Sequence, residues 1–254
     1  MKTVKLILLG LVTFIITALW LTPAAFVEPH IERMAPNVQL TGSSGTIWSG
    51  QAANARVNGF DLGRVNWTVL PIKSLLSLSL VSDVTIDSPQ LKASGQASYG
   101  LDRGIKLDNT NFEADASLLS RVQRFAQLGG EFQGLIEHAE IYPQGFPVIN
   151  GVLNFSQGEI LAPVRLDPGN YRADISSEND TLVAEISNAS APLDINGKLT
   201  LQNDWKYQVN ISAKPQANMN PVAKGFLRSQ GGNPGPDGTF LINRKGALPK
   251  MQLY

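Results

Sequence analysis

The chain has 254 residues, with 21 basic and 21 acidic side chains, two histidines and no cysteine. The lack of cysteine excludes disulfide scaffolds, thiolate metal sites and cysteine nucleophiles, and two histidines cannot build a three-histidine metal centre. Zero net charge and a pI near 6.7 argue against a general nucleic-acid binder, which needs a basic stripe.

Residues 6–27 (LILLGLVTFIITALWLTPAAFV) are 22 consecutive uncharged residues, with Lys2 and Lys5 ahead and Glu28, Glu32 and Arg33 behind. A helix needs about 20 apolar residues to cross a hydrocarbon core, and basic residues before the run keep the N-terminus cytoplasmic. The expected order is a cytoplasmic N-terminus (1–5), a transmembrane anchor (6–27) with Trp20 at the far interface, and a short stalk or helical turn (28–36) bounded by Pro29 and Pro36. Pro23 and Pro29 are expected to stop the anchor helix. The competing reading is a cleaved signal peptide. Its apolar core typically runs about 7–15 residues, shorter than this one. Thr22 and Ala24, the candidate −3 and −1 residues, are separated by Pro23. Either reading exports residues 28–254.

Beyond the stalk, period-two alternation dominates and predicts an exported β-domain over 37–254. From Leu76 to Asp87, Leu76, Leu78, Leu80, Val84 and Ile86 alternate with polar residues, which predicts a half-buried strand of a dozen residues. A hairpin is predicted from Leu193–Gln202, a turn at Asn203-Asp204, and a second arm of Trp205, Tyr207, Val209, Ile211 and Ala213 alternating with Lys206, Gln208, Asn210, Ser212 and Lys214. Weaker strands are expected over 38–41, 46–58, 60–70, 89–99, 104–113, 132–142, 147–156, 158–163, 170–176 and 181–187. Asn58-Gly59 and Glu178-Asn179-Asp180 are among the turns between them. Two helices are expected, 117–128 ending at Gly129-Gly130, and 221–229 capped by Asn220 with Pro221 in the first turn. A short turn is expected at 72–76. The 115–130 region is the expected division between two halves of the sheet.

Charge is unevenly spread. Residues 76–197 hold 7 basic and 16 acidic side chains, while residues 198–254 hold 8 basic and 2 acidic. One reading pairs the basic strands with acidic ones in the same domain. The sharper one makes Lys214, Lys224, Arg228, Arg244 and Lys245 a basic edge that docks an acidic partner or anionic headgroups.

The motifs of chemistry are missing. The Gly-Ser cluster Gly42-Ser43-Ser44-Gly45 is no nucleophile elbow. Gly197-Lys198 is followed by Leu199, with Pro192 where a P-loop needs its first glycine. His138 shares a strand face with Glu140 and is expected in a cross-strand ion pair rather than in catalysis. Trp48, Trp67 and Trp205 invite a ligand-site reading, but each is expected inside an alternating strand, where a large amphipathic ring fills a core or faces a membrane boundary. No catalytic residue, metal site or cofactor is expected.

The segment Leu40-Thr41-Gly42-Ser43-Ser44-Gly45-Thr46-Ile47-Trp48-Ser49-Gly50-Gln51-Ala52 resembles the (S/G)GT(L/V)W-x-G-x-A block of the type II secretion system protein N family (general secretion pathway protein N). Gly59 to Pro71 (GFDLGRVNWTVLP) is similar to that family's G-x-x-L-G-x-(V/L)-x-W-x-(L/V)-x-P block. The anchor, a long amphipathic strand after the Pro, the late hairpin and the Pro/Gly-rich loop before a last short strand follow the same plan. The resemblance implies a non-enzymatic, inner-membrane and mostly periplasmic accessory of the machinery that exports folded proteins across the outer membrane. Its partners would be other secretion subunits in the inner membrane or periplasm, and the inner membrane itself, with no nucleic acid.

The expected fold is all-β: a mostly antiparallel curved sheet, half-barrel or sandwich with two short helices, preceded by the transmembrane helix. Long one-sided strands behind an anchor also resemble AsmA-like envelope carriers, with lipid as the ligand of an apolar β-groove. An outer-membrane barrel fits poorly, because it requires signal cleavage and lipid-facing strands.

Overall fold

The period-two pattern becomes antiparallel sheet in the computed structural model. The structure describes residues 10, 11, 13, 14, 17, 18, 20–34, 37–122, 127–143, 145–162, 164–216 and 219–248. The chain divides into two units, residues 1–96 and 97–254, with the boundary inside a strand. The division thus falls ahead of the 115–130 region where the sequence placed it. There, the strands on either side pair directly, Asp115 opposite Glu131.

Unit 1 contains β1 (Val38–Thr41), β2 (Ser44–Gly45), β3 (Ser49–Val57), β4 (Phe60–Val69), β5 (Ser79–Asp87) and the first part of β6 (Leu91–Gly100), in the order β1-β3-β4-β5-β6 with β2 on β3. Asn58 and Gly59 (φ 50° and 80°) close the predicted two-residue hairpin between β3 and β4. Positive φ at both turn residues matches the twist of the flanking strands, and an Asn-Gly pair adopts it at little cost. Ala52 and Ala55 are buried on β3. Trp67 lies over Gly50 and donates its Nε1–H to the Ile47 carbonyl at 3.2 Å. Trp67 is therefore a packing residue, as the alternation predicted.

The N-terminal run differs from a single helix over 6–27. The described positions of 10–20 are helical, the helix breaks at Leu21–Pro23, and a second helix covers Ala24–Met34 with Pro29 inside it. Pro23 makes the break. It bridges Thr46, and the Thr22 carbonyl accepts from Ile47 N–H at 3.1 Å. Pro29 does not stop the helix as predicted, and of the two readings for 28–36 the helical one holds as far as Met34. Among the described residues no helix is long and apolar enough to cross a membrane. Residues 1–9, 12, 15, 16 and 19 of the expected N-terminus and anchor, and 35 and 36 of the stalk, lie outside the described residues.

The predicted strand 76–87 begins later. A helix occupies Pro71–Ser77, Leu78 caps it in a left-handed conformation (φ 51°), and β5 starts at Ser79. Pro71 presets the first helical turn. Leu76 and Leu78 alternate with serines but belong to a helix and its cap.

Unit 2 (97–254) runs in chain order through β7 (Ile105–Asp115), β8 (Gln127–Ile141), β9 (Val148–Ala162), β10 (Leu166–Glu178), β11 (Thr181–Ser190), β12 (Leu193–Gln202), β13 (Lys206–Pro215) and β14 (Phe240–Ala247), each antiparallel to the next. The segments predicted as two strands, 147–156 and 158–163, are the single strand β9, kinked at Gln157 (φ 51°). The helix expected over 117–128 is described only as Ser117–Val122; residues 123–126 lie outside the described residues, and β8 already begins at Gln127. The helix Pro221–Gly231 forms as predicted, with the Asn220 side chain accepting from Val222 N–H at 2.8 Å.

One face of unit 2 is apolar. Phe132 stacks on Phe155 with ring centroids 4.4 Å apart, and Phe155 meets Tyr171 at 6.3 Å, carrying an aromatic row across β8, β9 and β10. The helix Pro221–Gly231 covers the far end of unit 2, where Leu193, Ala213, Met219, Ala223, Leu227 and Phe240 form a buried cluster. Elsewhere the face is only half-buried. Among the described residues no large side chain is fully enclosed, and each unit is one open antiparallel ladder without a second sheet laid on it. A sandwich would enclose such side chains between its sheets.

Candidate partner-binding surface

The five basic residues singled out from sequence lie on β13, β14 and the helix Pro221–Gly231. Strand alternation sends neighbours to opposite faces. On β14, Phe240, Ile242 and Arg244 oppose Ala213, Ile211 and Val209. Arg244 thus falls in the apolar row, and its Nη2 donates to the Gln230 carbonyl and to Gln230 Oε1, both at 3.2 Å. It fastens the helix end to the strand. Lys224 and Arg228 belong to that helix, on the turns that carry the buried Ala223 and Leu227. Lys245 opposes Gln208 on the polar face, and Lys214, opposite Asp194, lies in the same polar row. The five do not form one patch: Lys214 and Lys245 sit on the polar face, Arg244 and the helix on the other.

Lys206, outside the five basic residues singled out from sequence, joins Lys245. A cavity of about 460 Å³ is lined by Thr200, Gln202, Lys206, Gln208 and Lys245, among others. The pairings Thr200–Gln208 and Gln208–Lys245 place these side chains in a row across β12, β13 and β14. The polar alternation Lys206, Gln208, Asn210, Ser212, Lys214 was the available signal. What was missing was the β13–β14 register. Lys206 Nζ also reaches Asp204 Oδ2 at 2.6 Å, and Asp204 is held below the usual carboxylate range chiefly by that hydrogen bond.

β14 ends the strand order of unit 2, and among the described residues nothing pairs with its outer edge. An eight-residue edge offers a row of backbone donors and acceptors to an added strand. Leu241 on it is 64% exposed.

The densest titratable cluster lies on β7 and β8. His138 Nδ1 is 2.7 Å from Asp108 Oδ1, and Nε2 is 3.3 Å from Glu140 Oε1. Lys106 Nζ donates to Glu140 Oε1 and Tyr142 Oη to Glu140 Oε2, both at 2.8 Å. Asp108 opposes His138 and Lys106 opposes Glu140 in the register, so the predicted cross-strand ion pair is present. Asp108 raises His138 above the ordinary histidine range. Lys106, then Tyr142, lowers Glu140. Every basic group here is matched by a carboxylate, as in a structural network. Among the described residues no group of three or more His, Asp or Glu side chains is arranged to hold a metal ion.

The family model for type II secretion system (T2SS), protein N, matches residues 36–243. The chain belongs to the type II secretion system protein N family. A relative from Vibrio cholerae serotype O1 (strain ATCC 39315 / El Tor Inaba N16961), named type II secretion system protein N, is 28% identical over 219 residues, covering 83% of this chain and 85% of its own length. No solved structure matches the chain. Membership ties the protein to type II secretion and protein transport. The matched span stops one residue before Arg244 and Lys245 and begins after the N-terminal apolar run, so neither the basic strand end nor the anchor rests on the family match.

Proposed function

We propose that this protein is an accessory inner-membrane component of the type II secretion machinery and acts by binding other secretion subunits, without chemistry of its own. Residues 6–27 hold it as a single-pass protein with its N-terminus in the cytoplasm, and the β-units lie in the periplasm. A partner adds a strand to the outer edge of β14. Lys206, Lys214 and Lys245 on the adjoining polar face favour an acidic partner.

The observation that carries the reading is that open edge in a chain of a secretion family. The test is photo-crosslinking from Leu241 and Asn243 in cells exporting through the system. The expected result is capture of an inner-membrane or periplasmic secretion subunit, together with reduced export when Lys206 and Lys245 are both replaced by Glu in a protein that remains abundant. Intact export and no captured secretion subunit would overturn it.

A second reading, an envelope lipid carrier, is favoured by the half-buried aromatic row Phe132, Phe155 and Tyr171. Crosslinkers on that row capturing phospholipid, with none captured at β14, would put it first.

A further inference from the structure

Connections between strands usually run over the surface and are polar. The connection from β4 to β5 is not. Ile72, Leu75, Leu76 and Leu78 within it, and Leu80 at the start of β5, are between 53% and 81% exposed, and Lys73 is the one charge between Arg64 and Asp83. Ile72, Leu75 and Leu76 stand at i, i+3 and i+4 of the helix Pro71–Ser77 and form one stripe. The helix is pinned to the sheet elsewhere: Ser74 Oγ accepts from Val81 N–H at 2.9 Å, and the N–H of its N-cap, Leu70, donates to the Val81 carbonyl at 2.8 Å. An apolar stripe held outward in this way marks an interaction surface.

The fold says what covers it. Trp20, near the end of the uncharged N-terminal run, stacks on Trp48 with ring centroids 5.6 Å apart. The Trp48 carbonyl accepts from Val69 N–H at 2.7 Å. Val69 precedes Ile72 by three residues, so at most about 11 Å of chain separates Val69, the backbone partner of Trp48, from the apolar stripe. Tryptophan belongs at the membrane–water boundary, and the headgroup zone on each side of a bilayer is about 5–8 Å deep. The stripe therefore follows directly on the strand end that Trp48 ties to Trp20 and to the N-terminal run. Its chemistry also suits lipid. The five residues are aliphatic, without the Trp, Tyr or Arg anchors that dominate protein–protein contacts, and the lone charge is a lysine, which anionic headgroups attract.

We infer that the helix Pro71–Ser77, with Leu78 and Leu80, seats in the headgroup zone of the membrane that the N-terminal segment enters, so that unit 1 is held to the bilayer at two points. The inference rests on the anchor proposed above.

The absence of cysteine makes a site-specific test direct. Single cysteines replace Leu76 or Leu11 in the full chain, carry the environment-sensitive fluorophore NBD, and are reconstituted into phosphatidylethanolamine–phosphatidylglycerol vesicles with or without a lipid bearing a headgroup-depth nitroxide. The probe at position 76 is expected to lose at least about half of its emission to the nitroxide, as interfacial helices sit 5–10 Å deep. Adding Leu75→Asp, at a site 76% exposed, is expected to abolish most of that quenching with an unchanged far-UV spectrum. Quenching at 11 but not at 76 overturns the inference and leaves the anchor standing. Quenching at 76 but not at 11 removes the anchor and overturns the two-point attachment, leaving a lone surface contact; no quenching at either removes both. A blue-shifted, unquenched probe at 76 means that protein, such as a second copy, covers the stripe, and also overturns it.

Discussion

At His138, geometry sets a pH dependence. Hydrogen bonding to Asp108, with a smaller contribution from Glu140, raises its folded pKa above the unfolded 6.5. The stability this adds is fully present below about pH 6.5 and is lost as pH rises through the raised value. Glu140 runs the other way. Lowered from 4.5, it adds stability above that pH and loses it as pH falls through the lowered value. Replacing His138 by Gln should therefore lower the melting temperature most near pH 5–6 and least at about pH 9. The side chains of His138 and Asp108 are 38% and 40% exposed, so solvent screening keeps the difference to about 1 kcal/mol or less. Export should not change. The His138–Glu140 neighbourhood was legible because both lie on one strand. Asp108, 30 residues away, was not, because it arrives through the β7–β8 register. A second pair of changes tests burial. Trp205 is 8% exposed and meets Phe146 edge-on at 5.9 Å. Trp205→Asp should cost roughly 3–5 kcal/mol in chemical denaturation, as an unpaired charge enters a packed site. Lys206→Asp, on the exposed neighbour, should lose little. Equal losses would mean that the alternation does not report burial. The sequence placed Trp205 at the start of a strand. It instead ends a three-residue turn with φ 64°, and the strand begins at Lys206.

Elements were legible where local chemistry and pairing agree. Asn58-Gly59 and Asn179-Asp180 both take positive φ and join their strands as two-residue turns, because the side chains that tolerate that conformation stand at those positions. The misread elements are those where a local signal had a different cause. Leu76, Leu78 and Leu80 alternate, but Pro71 starts a helix that consumes the first of them. Gly129-Gly130 looked like a helix stop, yet both lie in β8. Gly130 has φ 100°, and a Cβ there would come within 2.4 Å of the Gln157 carbonyl oxygen. It is the bulge where β8 shifts register against β9 between Gly129 and Glu131, and bulges of this kind rely on glycine. Gly130→Ala should cost roughly 1–3 kcal/mol, from left-handed strain together with the backbone clash. Gly59→Ala, where a Cβ meets nothing within 4 Å, should lose less, since only the strain remains. Thermal melts of the two variants measure the difference, and a larger loss at Gly59 would contradict the assigned bulge.

For the whole molecule, all-β architecture and family were legible because alternation and the blocks at 40–71 are written along the chain. The division at 96/97 was not, since it depends on which strands pair, and no composition shift marks it. The same limit governs the basic end. Read linearly, Arg244 and Lys245 form a doublet; folded, they face opposite sides of β14. Charge reversal should therefore give different phenotypes. Arg244→Glu removes two donations to Gln230 and sets a carboxylate opposite Val209, so the melting temperature and cellular abundance should fall, and export should fall with abundance. Lys245→Glu combined with Lys206→Glu changes only exposed positions of the polar face, so the melting temperature should hold. Crosslinking from Leu241 to a secretion subunit should weaken, because a rim charge acts chiefly on the association rate. In the unaltered protein that rate should fall as salt rises, with a screening length of about 10 Å at 0.1 M; in the double variant the slope should flatten. Undiminished crosslinking and export from an abundant Lys206→Glu/Lys245→Glu protein would remove the polar face of β13 and β14 from partner recognition, leaving the backbone edge of β14 to act alone.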